Sequence, residues 1–166
     1  MMHTRSVLLL MLGLAHPLLA QLQHGQLGAR VAVTFGRFGR PVQWVPREDF
    51  FSFALLWGAC VALLPLAIAW LIQRVPAVLF SIPRREYWLS PDRVGTLRRV
   101  LSQWMLGVGL LTAGFSLGVF WLTLSANSRR PIVLPNVFFL LLAFFLVALL
   151  CALLLLLARL SRDEQS

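Results

Sequence analysis

Acid–base, nucleophilic or metal chemistry in this chain of 166 residues would have to come from three histidines, two cysteines and six acidic residues. Their spacing is wrong for most of it. His3, His16 and His24 lie around one apolar stretch with no carboxylate at ligand spacing, and neither His-Glu-x-x-His nor Cys-x-x-Cys occurs. A phosphate-cradling Gly-rich loop needs a lysine, and all 15 basic residues are arginine. Cys60 and Cys151 stand in separate apolar stretches and read as small buried apolar residues rather than a disulfide pair. His16 is the one strongly basic group inside an apolar stretch, which makes it a functional candidate by position. Beside Pro17, a neutral imidazole bonded to a backbone carbonyl explains it better than a proton relay. No Asp or Glu interrupts any long uncharged stretch, so a proton-coupled exporter would lack its carboxylate. Arg84, Glu86 and Tyr87 are sequence neighbours on a loop, a weak basis for a catalytic cluster. No catalytic residue, cofactor or metal site is expected, and the chain reads as a non-enzyme.

The elements that carry these residues follow from where charge is missing. The hydrophobic set makes up 59% of the chain and charged residues only 13%, against about a quarter charged in soluble domains. Disordered chains are apolar-poor and are excluded as well. Uncharged stretches cover 6–29, 50–73, 100–128 and 131–158, or 24, 24, 29 and 28 residues. Roughly 20 apolar residues cross a hydrocarbon core of roughly 30 Å. The expected fold is an all-α membrane protein, one integral domain over 1–166. It has four transmembrane helices near 6–22, 50–73, 100–125 and 137–158, and a short extracytoplasmic β-hairpin between helices 1 and 2. The net charge of +9 would suggest nucleic acid in a soluble protein. Here the arginines flank the spans and meet lipid headgroups instead, so the lipid bilayer is the expected partner and nucleic acid is not.

Each span has its own chemistry. The fourth is apolar all round, which suits a lipid-facing helix, with Arg159 and Arg162 closing it. The second opens on Pro46, Glu48 and Asp49, the right residues for a helix N-terminus. Its Pro65 should kink it unless neighbours satisfy the freed carbonyl, and Trp57 and Trp70 are candidate interface anchors. In the third, Gly107, Gly114 and Gly118 form one stripe, and Gly114-Phe-Ser-Leu-Gly118 is a small-xxx-small motif for close helix packing, within the chain or between two copies. Ser90, Pro91 and Asp92 resemble a helix start that runs unbroken into that span. The first span has a rival reading as a signal peptide cleaved after Ala20. Leu18, at the position that prefers a small residue, favours a retained helix.

Loops 23–49 and 126–136 should share one side, and loop 74–99 the other. With the N-terminus inside, the inner side holds nine arginines and the outer side six, which favours cytoplasmic N- and C-termini in a cell inner (plasma) membrane. In the outer loop, alternating apolar residues around the Gly36-Arg-Phe-Gly-Arg-Pro41 centre predict the hairpin. Trp44, Phe35 and Phe38 should rest on the bundle or the headgroups, with the turn in water. The inner loop places Tyr87 and Trp88 beside Arg84 and Arg85, an interfacial composition. A membrane-hugging connector is the plainer reading of it, and an interface for a partner or for anionic lipid the sharper one.

The segment from Arg30 to Phe50 resembles the signature of an uncharacterised bacterial membrane domain. In that family it reads approximately Glu-Arg-Val-Pro-x-His-Phe-x-x-x-Gly-x-Pro-Asp-Gly-Trp. The domain is known at the N-terminus of SdpI-type immunity and signalling proteins and in stand-alone four-span proteins. Arg30, Val31, Phe35, Gly39, Pro41 and Trp44 match, and the Ile82-Pro-Arg-Arg-Glu-Tyr-Trp-Leu-Ser-Pro-Asp-Arg93 stretch is similar to the stand-alone members' connector. The resemblance covers roughly 30–93. Thr34 replaces the family's histidine, and Val42-Gln43 its Asp-Gly, so a ligand held by that His and Asp has no counterpart here. The resemblance implies the four-span architecture, the family's own biochemical role being unassigned. Together with the two polar loops on opposite sides it suggests a sensor, immunity-like or accessory protein, and the lack of catalytic residues a non-enzyme. A protein or peptide partner would meet Arg30, Phe35, Gly39, Pro41 and Trp44 outside, or Arg84, Arg85, Tyr87 and Trp88 inside. The alternative is a small transporter or transporter subunit, with His16, Pro17 and Pro65 marking broken helices around a midplane site between the first two spans.

Overall fold

The computed structural model describes residues 2–161, so Arg162, assigned to the end of the fourth span, lies outside the described residues. Four helices are long and apolar enough to cross a membrane: α1 (Met2–Leu22), α2 (Arg47–Arg74), α4 (Val94–Asn127) and α5 (Val137–Ser161). Between α1 and α2 lies a two-stranded antiparallel sheet, β1 (Arg30–Phe35) with β2 (Pro41–Pro46). A single helical turn, α3 (Arg85–Trp88), sits in the connector before α4.

The helix boundaries have local causes. β2 passes straight into α2 at Pro46, with Glu48 and Asp49 in the first turn against the positive end of the helix dipole. At the other end Arg98 donates to the carbonyls of Gln73 and Val75, the orphan acceptors of the α2 terminus. α4 starts later than its Ser90-Pro91-Asp92 signal implies. The Ser90 hydroxyl donates to the Tyr87 carbonyl at 3.1 Å instead of capping, and the Ser90 carbonyl closes a turn onto the amides of Arg93 and Val94. At 34 residues α4 is the longest helix, about 51 Å at ~1.5 Å per residue.

α1, α2 and α4 enclose the core in stacked layers. At the hairpin end Ala20, Val31, Phe50, Ala54, Phe120 and Leu124 pack together, and Phe50 stacks on Phe120 with ring centroids 5.3 Å apart. In the middle, Leu9, Val61, Ala69, Leu106 and Ala113 meet. Trp88, Leu97 and Leu160 close the opposite end.

Glycines set the helix crossings, though not in the stripe expected. A Cβ on Gly13 would stand 2.7 Å from the Gly58 carbonyl oxygen and 2.6 Å from the Ala62 Cβ, so α1 and α2 cross backbone to backbone. A Cβ on Gly109 would come within 2.5 Å of the Pro65 Cβ. That glycine makes room for the buried proline, and α2 continues through it as one helix. Gly118 admits Leu141 of α5, whereas Gly107 lies beside Arg5 and Gly114 faces open space. Only Gly118 of the 107/114/118 stripe therefore makes a tight helix contact.

α5 packs on α4 through Phe115 and Phe145, stacked at 4.3 Å, and through Trp104, whose Nε1 donates to the Ala152 carbonyl at 2.9 Å. Its other faces point outward, as an apolar-all-round helix should. Cys151 is on those faces, exposed, and Cys60 is half-buried, so neither is the fully buried residue expected.

Candidate functional site

The hairpin forms where alternation and the glycine-rich centre place it. Arg30 pairs with Pro46 at its base, Ala32 with Trp44, and Phe35 with Pro41 beside the turn. The register slips on either side of Thr34, leaving Val33 and Val42 unpaired. Such bulges bend a strand and redirect its backbone groups. Thr34 and Gln43, two of the positions that depart from the resembled signature, face each other, and the Thr34 hydroxyl donates to Gln43 Oε1 at 3.0 Å. Phe38 and Gly39 carry the turn at φ 62° and 70°, the left-handed region where only glycine is unstrained.

Within the protein, docking of the hairpin is carried by β1. Trp44 remains 37% exposed and Phe38 79% exposed, and β2 contributes no buried side chain. β1 does the docking: Val31 enters the core, and Ala32 is fully buried against Asn127. The Ala32 amide donates to Asn127 Oδ1 at 2.8 Å, and Asn127 Nδ2 donates to the Ala32 carbonyl at 2.9 Å. Nδ2 also donates to the Thr123 carbonyl at 2.8 Å, which fixes the side chain on its own helix. The turn is tied down as well. The Leu134 amide donates to the Gly39 carbonyl at 2.9 Å, and a Cβ on Gly39 would lie 2.5 Å from the Leu134 oxygen. Gly39 is thus needed twice, for its φ and for the close approach of 126–136. The hairpin is fastened by the buried Val31 and Ala32 and by its backbone; Phe35 is half-buried, and Arg37, Phe38, Arg40 and Trp44 are left outward.

Beneath Val33 an apolar groove of about 390 Å³ runs between α2 and α5 over α4, walled by Phe53, Phe115, Val119 and Phe145. Its polar lining includes Ser116, where three helices converge. The Trp57 Nε1–H donates to Ser116 Oγ at 2.7 Å, and Ser116 Oγ lies 3.0 Å from His16 Nε2. His16 Nδ1 lies 2.9 Å from the Leu12 carbonyl. A carbonyl only accepts, so Nδ1 carries a proton, and in the neutral ring Nε2 accepts from the Ser116 hydroxyl. The His16 ring is fully buried and tilted against Phe120. This matches the carbonyl-bonded imidazole read from the sequence, with Ser116 and Trp57 as partners no local pattern announced.

At the opposite end, Tyr87 and Trp88 are turned into the protein. Trp88 is buried, and its Nε1 donates to the Leu160 carbonyl at 2.9 Å, tying the connector to the end of α5. Arg93 lies over the Tyr87 ring at 3.7 Å, with Arg84 at 5.1 Å. Arg85 donates to the Val78 carbonyl at 2.7 Å from an exposed position. These five residues brace a folded connector. Gln73 and Ser102, bonded at 2.6 Å, staple α2 to α4 nearby.

Sequence reasoning found the hairpin but missed Asn127, its clamp. The available signal was a strongly polar amide inside an otherwise apolar stretch. No family model matches the chain, and no curated protein or solved structure matches it.

Proposed function

We propose that the protein is a non-enzymatic, multi-pass protein of a bacterial inner membrane, a sensor, immunity-like or accessory protein whose outer hairpin recognises an envelope protein or peptide. The observation that carries this reading is the backbone clamp on Ala32. A loop held by its main chain and by Val31 at its base keeps its outer side chains available, and here those are Arg37, Phe38, Arg40, Val42 and the part-exposed Trp44. Aromatic residues and arginine on a rigid support are the side chains that anchor protein interfaces. The arginine excess at the connector end supports cytoplasmic termini, and the burial of Leu9, His16 and Ala20 supports a retained first span. The likeness of 30–93 to the SdpI-type domain is part of the same reading. The transporter alternative is weaker. It calls for a polar opening between α1 and α2, where Gly13 and Gly58 leave the two backbones in contact.

The test is photo-crosslinking in cells from a reactive residue at position 38, followed by purification from membranes. A reproducible protein adduct, lost when Asn127→Ala loosens the hairpin, is the expected result. Lipid adducts alone would overturn the recognition role.

A further inference from the structure

Where the start of α1 and the end of α5 flank α4, a second cavity of about 280 Å³ opens far from the hairpin. Its walls are apolar, with Val100 and Val108 on α4 and Ala152 and Leu155 on α5, but two of its lining residues are arginines, Arg5 and Arg159. Arg5 is half-buried and held in place, its Nη1 donating to the Gln103 carbonyl at 2.7 Å. Gly107 lies on the same wall, where a Cβ would stand in ordinary contact, 3.9 Å from that nitrogen. The Trp104–Ala152 bond holds the opposite wall. Among the described residues no carboxylate lies within ion-pair distance of either arginine. Two cations lining one low-polarity cavity are stabilised by an anion between them.

We propose that this cavity binds a net-negative membrane phospholipid, its phosphate between Arg5 and Arg159 and one acyl chain along the α4–α5 wall. Guanidinium groups suit a phosphate through paired N–H donors. The apolar walls select a lipid over a soluble anion, because they would leave a free phosphate partly desolvated and unpaired. Position agrees: the uncharged stretch of α4 begins at Val100, which lines the same cavity as Arg5 and Arg159. The arginine end of the cavity therefore falls at headgroup depth and Val108, about two turns further along, at acyl-chain depth. This inference rests on insertion into a membrane and is independent of the hairpin's role. Retention in carbonate-washed membranes checks insertion separately.

The experiment is native mass spectrometry of the full chain in mixed micelles of phosphatidylglycerol and phosphatidylcholine. Phosphatidylglycerol should be retained in preference. Arg159→Gln should lower its retention roughly fivefold, the scale of one arginine near an anionic surface. Arg159→Lys should restore only part of it, because lysine returns the charge without the paired N–H donors. Arg159 is exposed, so this pair remains informative even if Arg5→Gln impairs folding. Arg129→Gln with Arg130→Gln, at the opposite end, should leave retention unchanged. Equal retention of the two lipids, or indifference to Arg159→Gln, would overturn the site. Displacement of the lipid by glycerol 3-phosphate would assign it to a soluble phosphate instead.

Discussion

Asn127, the last residue of α4, forms with Ala32 the two hydrogen bonds that a neighbouring β-strand would form, at 2.8 and 2.9 Å. A side-chain amide thereby substitutes for the missing strand along β1, and a two-stranded hairpin, marginal on its own, becomes part of the bundle. Asn127→Asp should be the sharpest probe. It keeps the acceptor but removes the donor, so the buried carbonyls of Ala32 and Thr123 would both face a carboxylate. Each orphaned buried group costs about 1–3 kcal/mol. Thermal unfolding in detergent should fall accordingly, and 30–47 should become cleavable by added protease. Trp44→Ala should leave that segment protected, because β2 supplies no buried side chain. The reverse ranking would mean that the ring, and not the clamp, holds the hairpin.

The glycine crossings allow a paired comparison. Gly13→Leu should destabilise strongly, beyond the ~1–3 kcal/mol typical of overpacking, because a rigid backbone rather than a flexible side chain stands in the way. Gly114→Leu, facing open space, should shift the melting temperature little. A large loss at Gly114 with Gly13 silent would relocate the helix contact to the 107/114/118 stripe.

His16, Ser116 and Trp57 should behave as one unit. Ser116→Ala removes the acceptor for the indole and the donor to the imidazole together. A double-mutant cycle on His16 and Ser116 should show coupling of about 0.6 kcal/mol, with ~1.7 as the upper range for membrane helices. Additive effects would show that the imidazole gains nothing from the hydroxyl.

Sidedness can be read with thiol reagents on a background in which Cys60 and Cys151 are replaced. Phe38→Cys, on the exposed turn, should react with an impermeant maleimide added to intact cells. Arg85→Cys, on the exposed face of the connector, should react only after the membrane is opened. The opposite pattern would invert the proposed orientation.

The sequence by itself determined where the long helices lie, and the reason is local. Charged clusters bound each uncharged stretch, and a backbone that must satisfy its own hydrogen bonds in an apolar setting does so as a helix. Each long helix therefore contains most of one uncharged stretch and overruns it into the flanking charges. The hairpin was legible for a similar reason, since alternation and Gly39 act over a few residues. Only the tertiary structure decided which polar group meets which. Asn127 and Ala32 are 95 residues apart, and His16 and Ser116 are 100 apart. Nothing in either neighbourhood specifies the other, because a side-chain amide or imidazole is compatible with many partners until packing brings one within 3 Å. The glycines divide in the same way. The 107/114/118 stripe is visible as a period, but which glycine is buried depends on what stands opposite: Gly58 found Gly13 and Gly109 found Pro65, while Gly114 was left facing out.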